Sequence, residues 1–507
     1  MRAKSGEGGD FLRICLVLAL MLLAIAIDTA NASENVLPNY NRQSYEEVTA
    51  KAILSDLNRS SLAYDRAVII GDLNLDGPQY NYIKITNSII KGNISCEGAT
   101  IAGDVDFENT SFYKNAMFNN TKFLGPANFN NSHFYGTASF NTSRFPDGAT
   151  FDYAIFDRTA DFANTWFDKF GTFYNATFSG AAQFPLSEFN GAYINFGCSL
   201  FQEDADFSGD QFSAYAAFDD AAFRKRADFH ATKFSNGASF YGAAFFEEAN
   251  FARSHFIEDL LFSRARFNST ALFSNAKFDG SAFFNESILC GDAIFDNAQF
   301  QAPADLSSAR FERDLSMNST RITKMVLDDS VFNESSRLFL AKADINRLMV
   351  SWSLIRDKLG FDTSAYLSLV KNYKDLGQSN DANDCYYEYR YLNQAHKPLG
   401  VSKLLDVVAW LTCGYGVRPH YALLCGVVVI LIFAMVLRTG KGVEGFSEQD
   451  GWQLALSSFY FSTIAFTANS KGLPLKGHYK YLGIAEGIIG WLLMALFLVT
   501  LGRLIIG

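Results

Sequence analysis

From Phe107 onward the chain places phenylalanine at 112, 118, 123, 129, 134, 140, 145, 151 and 156, so intervals of five and six residues alternate and the true period is eleven. The register runs on to Phe189, slips by one residue to Phe196 and continues to Phe311. Of its 38 positions 36 are Phe and the other two, 289 and 306, are Leu. Upstream, Ile85, Ile90, Cys96 and Ile101 keep the same alternation, and Met317 and Ile322 extend it downstream. A helical stripe recurs every 3.6 residues or so, and strand alternation cannot last roughly 200 residues without turns. A chain that turns a corner every five or six residues satisfies both constraints. Two residues before most of these Phe sits a small side chain, as in Ala127-Asn128-Phe129 and Ala227-Asp228-Phe229. Phe then points into the axis of a coil with the small residue beside it, and Asn, Asp, Gly, Ser and Thr face water. Each ring stacks on the ring of the next coil, burying ~150 Å² or more, while backbone hydrogen bonds run between coils. The slip at Gly191 to Gly197 predicts a bulged corner.

This unit of small, polar, then Phe or Leu resembles the pentapeptide-repeat family. The resemblance implies a mainly β solenoid, a right-handed quadrilateral β-helix with a Phe core, acting as a binding or structural rod. Residues 67–333 are expected to form about twelve coils, nearly 60 Å of rod at ~4.8 Å per coil. Open coils expose strand edges and need caps. Residues 45–57, with Glu46, Val48, Ile53, Leu54 and Leu57 on one stripe, predict an amphipathic capping helix within an N-terminal segment 33–66.

Arg2, Lys4 and Arg13 precede an apolar run at 14–27, and Ala30-Asn31-Ala32 offers small residues for cleavage. Residues 1–32 therefore read as a secretory signal peptide; an uncleaved signal anchor is the alternative, and both export the repeat. The formal charge is −10 and no long Lys or Arg run occurs, which argues against nucleic acid as a partner. Some soluble pentapeptide-repeat proteins mimic DNA and bind gyrase, but an exported chain is removed from DNA. The six His and the absence of GxSxG, P-loop, HExxH or paired-carboxylate motifs point away from an enzyme: no catalytic, cofactor-binding or metal residue is expected. His133, His230 and His255 fall at outward repeat positions, and Asp204, Asp206, Asp219 and Asp220 read as surface charge. Seven Cys show no CxxC or Cys/His spacing. Asn-x-Ser/Thr sequons recur, starting for example at Asn93 and Asn175, as a chain rich in Asn, Ser and Thr produces by chance.

After Phe332 helical spacing appears at Leu338, Ala341, Ile345, Leu348, Trp352 and Ile355. Residues 365–376 and 382–392 then predict a helical hairpin within a spacer, 334–400; it resembles a single repeat of the tetratricopeptide kind, expected to cap the rod or bind a protein. The membrane domain is residues 401–507. An amphipathic stretch at 402–411 leads to an apolar span at 421–437, a re-entrant helix at 452–466 and a second span at 482–506. Span, half-helix and span in this order resemble the two-transmembrane pore domain of potassium channels. Ser458-Phe459-Tyr460-Phe461-Ser462-Thr463 matches the end of a pore helix, and Thr467, Ala468, Asn469, Ser470, Lys471 and Gly472 form the candidate pore loop. This segment departs from the family's Thr-Val-Gly-Tyr-Gly: one glycine remains, and Lys471 would place a positive ring on a cation path. Potassium selectivity is not supported. Gly414-Tyr415-Gly416 lacks a preceding span and is no filter.

Export of the rod sends Arg438, Lys441, Lys471, Lys476 and Lys480 to the cytoplasm, as the positive-inside rule prefers. A potassium channel's loop lies outside, so this one is inverted. Gly483 and Gly487 permit close helix packing, and Glu486 is expected to snorkel to water. The whole resembles exported pentapeptide-repeat membrane proteins with a degenerate channel-like tail, a type found notably in archaea. The expected function is a membrane-anchored, extracytoplasmic structural or protein-interaction rod; the alternative is a homo-oligomeric channel or sensor with a non-standard filter.

Overall fold

The structure is a computed structural model that describes residues 45–55, 61–444, 451–467 and 472–506. The expected signal peptide 1–32 and the loop residues Ala468, Asn469, Ser470 and Lys471 lie outside the described residues.

Strands from Glu46–Thr49 to Leu348–Met349 build a β-solenoid of about fourteen turns, most strands being only two residues long. Each pairs in parallel with its equivalent one turn on: Phe112 lies opposite Phe134, Phe134 opposite Phe156, and Phe156 opposite Phe178. The turn is thus 22 residues, and at the slip the spacing widens, with Tyr193 opposite Phe170 and Phe201 opposite Phe178. The extra residue is absorbed in the corner between Phe189 and Tyr193. A second feature explains the five/six alternation. Each five-residue interval contains a left-handed residue two positions after its Phe, as at Asn109, Asn120, Asn131, Asn164 and Asn175, with φ between 53° and 57°. Asn tolerates that conformation better than most side chains, and the left-handed residue tightens the corner by one position.

Inside, Phe134 stacks on Phe156 with centroids 4.8 Å apart and planes 2° from parallel, while Phe129 meets Phe140 edge to face at 5.3 Å. Columns of buried hydroxyls run beside the rings. Thr165 Oγ1 donates to the Phe140 carbonyl at 2.9 Å, Ser187 Oγ to that of Phe162 at 2.7 Å, and Thr232 Oγ1 to that of Phe207 at 2.6 Å. Asp210 occupies the same column between Ser187 and Thr232, fully buried.

The ends differ from the sequence expectation. Residues 45–55 do not form one helix, and Leu57 lies outside the described residues: Glu46–Thr49 is a strand paired with Ala67–Ile70, and among the described residues of this stretch Ala50–Ser55 (α1) is helical, its Ile53 plugging the core. The exposed edge of the first full turn outcompetes a short isolated helix. Beyond 333 the spacing at Leu338, Ile345 and Leu348 is not helical either. Leu338–Phe339, Asp344–Ile345 and Leu348–Met349 are strands that add another turn, Leu338 pairing with Leu315 and Leu348 with Met325. A preformed edge supplies hydrogen bonds that a marginal helix cannot match.

Trp352–Ile355 (α2) ends the coil, and a hairpin of Thr363–Asp375 (α3) and Ser379–His396 (α4) covers it. Asp362 caps α3 by accepting from the backbone N–H groups of Ser364 and Ala365. The Asn372 side chain acts as one more strand: its Oδ1 accepts from Leu348 N and its Nδ2 donates to Leu348 O, both at 2.8 Å. Tyr366, Leu369, Tyr373 and Cys385 bury against the last turn. Then come Val401–Cys413 (α5), Pro419–Thr439 (α6), Gly451–Phe466 (α7) and Tyr479–Ile506 (α8). Among them α6 and α8 are long and apolar enough to cross a membrane.

Candidate functional site

The helical bundle is fastened to the rod by charge. Asp406 of α5 receives Lys397 Nζ at 2.5 Å and Arg390 Nη2 at 2.9 Å, and these two cations, Lys397 foremost, hold its carboxyl below the usual carboxylate range. Arg418, just before α6, donates to Asp384 of α4 at 2.6 Å. Near the other end of α8, Arg503 lies over the Tyr386 ring of α4 at 5.5 Å. The start of α6 and the end of α8 therefore meet the rod's cap together. On α5, Leu404, Leu405, Val408 and Leu411 are exposed and form an apolar stripe.

At the far end, Leu437, Val443 and Leu475 bury together, and Leu454 and Phe461 of α7 pack on them. From there α7 runs inward between α6 and α8. Its last residue, Phe466, reaches Gly426 of α6 and Gly490 of α8; a Cβ on Gly490 would sit 2.1 Å from the Phe466 carbonyl oxygen, so only glycine admits this approach. Gly426 is thirteen residues from Thr439, about 20 Å of helix. An apolar cavity of about 220 Å³ lies between Ala422, Gly426, Ile430, Phe466, Leu493 and Phe497.

Of the sequence-predicted loop, Thr467 and Gly472 are described. Thr467 is exposed, its Oγ1 donating to Ile464 O at 2.9 Å, and Gly472 is exposed at φ +101°. The other four, Ala468, Asn469, Ser470 and Lys471, lie outside the described residues. Glu486 departs from expectation. Instead of snorkelling it is 1% exposed, facing inward beside Gly483, Gly487 and Gly490 and bonded to Ser462 of α7. The signal was present in the sequence, since a helix face made of glycines is the face that packs, and Glu486 shares it.

On the rod, His133 and His255 sit at the surface against Asp157 and Asp279, at 3.0 and 2.7 Å. Asp206 and Asp204 accept backbone N–H groups of Ser208 and Arg226 at 2.9 and 3.2 Å, as clips within and between turns. Among the described residues no group of three or more His, Cys, Asp or Glu converges.

A long parallel solenoid with a helical cap and two membrane-length helices defines a repeat rod with a hydrophobic tail. A family model described as pentapeptide repeats (9 copies) matches residues 118–166, 218–266 and 262–310, so the rod is built of pentapeptide repeats. No curated protein and no solved structure matches the chain.

Proposed function

We propose that the chain is a membrane-anchored pentapeptide-repeat protein whose right-handed, four-sided solenoid stands outside the cytoplasm as a structural or protein-interaction rod. The observation that carries this reading is the fastening of both α6 and α8, at the same end, to the hairpin that caps the solenoid. With both helices across a bilayer, the whole rod lies on one side. The apolar run at 14–27 behind Arg2, Lys4 and Arg13 supports export. Arg438, Lys441, Lys476 and Lys480 lie toward the far end, where the cytoplasm would be. The 22-residue turn with four short strands supports four sides, and exposed Tyr113, Tyr135, Tyr153 and Tyr174 offer protein-contact surface. The test uses Cys198, exposed on the rod. A membrane-impermeant maleimide applied to intact cells should label it, with Cys198→Ser as control, whereas Lys476→Cys should react only after permeabilisation. The reverse pattern defeats the reading.

One observation favours a second reading, a homo-oligomeric channel or sensor with a potassium-channel-like pore. α7 stops partway along α6 and α8 with Thr467 exposed. A helix that ends at bilayer depth leaves its last carbonyls in need of protein or water around them, which further copies of the chain would supply. Thr467, Ala468, Asn469, Ser470, Lys471 and Gly472 would then line the path. Crosslinking in native membranes decides: a closed ring of subunits supports a pore, and a monomer removes it.

A further inference from the structure

We infer that Glu486 is a proton-binding site, held as the neutral acid that donates its proton to Ser462, and that the seating of α7 between α6 and α8 depends on that proton. The available hydrogens can be counted. Ser462 Oγ lies 2.9 Å from the Ile430 carbonyl oxygen and also within hydrogen-bonding distance of Glu486 Oε1. A hydroxyl has one proton and a peptide carbonyl has none. If the Ser462 proton goes to Ile430 O, the contact with Glu486 holds no hydrogen unless the carboxyl supplies it. If it goes to a carboxylate instead, Ile430 O and Ser462 Oγ face each other with lone pairs alone. Both contacts are satisfied only by a protonated Glu486, donating to Ser462, which in turn donates to Ile430.

The surroundings agree. Ser462 is fully buried and Glu486 nearly so. Of the titratable groups on α6, His420, Tyr421 and Cys425 lie in its opening turns and Arg438 at its far end; α7 carries Tyr460, exposed, and α8 carries Tyr479, Lys480 and Tyr481 at its start and Arg503 near its end. Among the described residues none of these forms an ion pair with Glu486. A bare carboxylate there would be buried without compensation, at a cost of several kcal/mol. Ionisation must therefore be accompanied by opening: α7 withdraws Ser462, or water enters. The site's ligand is a proton, and the element it biases is the helix whose end carries Thr467. This holds whichever side of the membrane the rod occupies.

The experiment uses the full chain in lipid bilayers with ¹³C in the glutamate carboxyls, which separates Glu486 from buried aspartate. Infrared spectra at neutral pH should show a protonated-glutamate carbonyl band. Ser462→Ala, which keeps the acid and removes its acceptor, should shift the band, and Glu486→Gln should abolish it. Wild-type protein with no such band, a reading that needs no variant, overturns the proposal, as does a band unchanged in Glu486→Gln. Amide hydrogen exchange of α7, corrected for intrinsic rates, should accelerate in alkali in wild type and stay flat in Glu486→Gln; equal acceleration in both overturns the coupling.

Discussion

Replacing Asp210 by threonine should make the solenoid more stable. Asp210 is fully buried; its Oδ1 accepts from Ser187 N at 2.8 Å, while Oδ2 is buried without a hydrogen-bond partner. The neighbours in its column, Ser187 and Thr232, each send a hydroxyl to the carbonyl of a Phe one turn earlier. By the same geometry a threonine at 210 addresses Phe184 O. Removing one buried unsatisfied polar group is worth ~1–3 kcal/mol, or about 5- to 150-fold slower amide exchange where opening is at equilibrium. Burial also drives the Asp210 carboxyl well above its ordinary value, with Asp206 adding to it against the Ser187 hydrogen bond. The folded value lies above the unfolded one, so Asp210 stabilises fully below about pH 4 and loses that contribution as pH rises toward its folded value. The wild-type turn should therefore weaken with rising pH above about 4, by up to ~1.4 kcal/mol per unit, and Asp210→Thr should remove that slope. Exchange of amides in the turns holding Ser187, Asp210 and Thr232, followed from pH 4 to 8, measures both effects. A threonine variant that exchanges faster than wild type, or with the same pH slope, refutes the reasoning.

Phe151 stacks on Phe129 and Phe173 at 4.8 and 4.9 Å, so Phe151→Ala should cost ~3–5 kcal/mol, with lost exchange protection concentrated in the adjoining turns. Asn372→Ala leaves the Leu348 N–H and carbonyl unpaired and should weaken the last turn by ~1–3 kcal/mol; Asn372→Asp, which cannot donate to Leu348 O when ionised, should not rescue it. Asp406 has a lowered folded value, so its hold on Lys397 and Arg390 is complete above about pH 4 and is lost as pH falls through that folded value; trypsin should cut at Lys403 faster in Asp406→Asn than in wild type at neutral pH, and an unchanged rate argues against the clamp. Gly490→Ala should expel the end of α7, read as faster exchange of its last turn with α6 unaffected.

The contrast between 107–311 and the rod's ends shows how far the sequence is readable. In the repeat every Phe of the register is buried in the core, so a local pattern repeated many times specifies the global fold, and period and register follow from spacing alone. At 45–57 and 334–351 the local pattern is degenerate: Val48 and Ile53, or Leu338, Ile345 and Leu348, fit a helical stripe about as well as a turning strand. What settles them is the open edge of the neighbouring coil, which no window of sequence contains. Asn372 has no sequence signature at all, being one polar residue in an amphipathic helix until Leu348 lies beside it.

The apolar C-terminal helices divide in the same way. Two long apolar helices are legible from composition, because each is a run of apolar residues long enough to cross a bilayer as a helix. The glycines at 483, 487 and 490 mark the face of α8 that packs, and Glu486 with it, but that Ser462 of α7 meets Glu486 there belonged to the tertiary structure. By itself the sequence determined the eleven-residue period, the Phe core and the two long apolar helices, since each is a regularity carried by neighbouring residues. The tertiary structure alone decided the caps, the fastening of both long apolar helices to the rod through Asp384 and Tyr386, and the Ser462–Glu486 contact, since each joins residues whose meeting depends on where the rest of the chain has already folded.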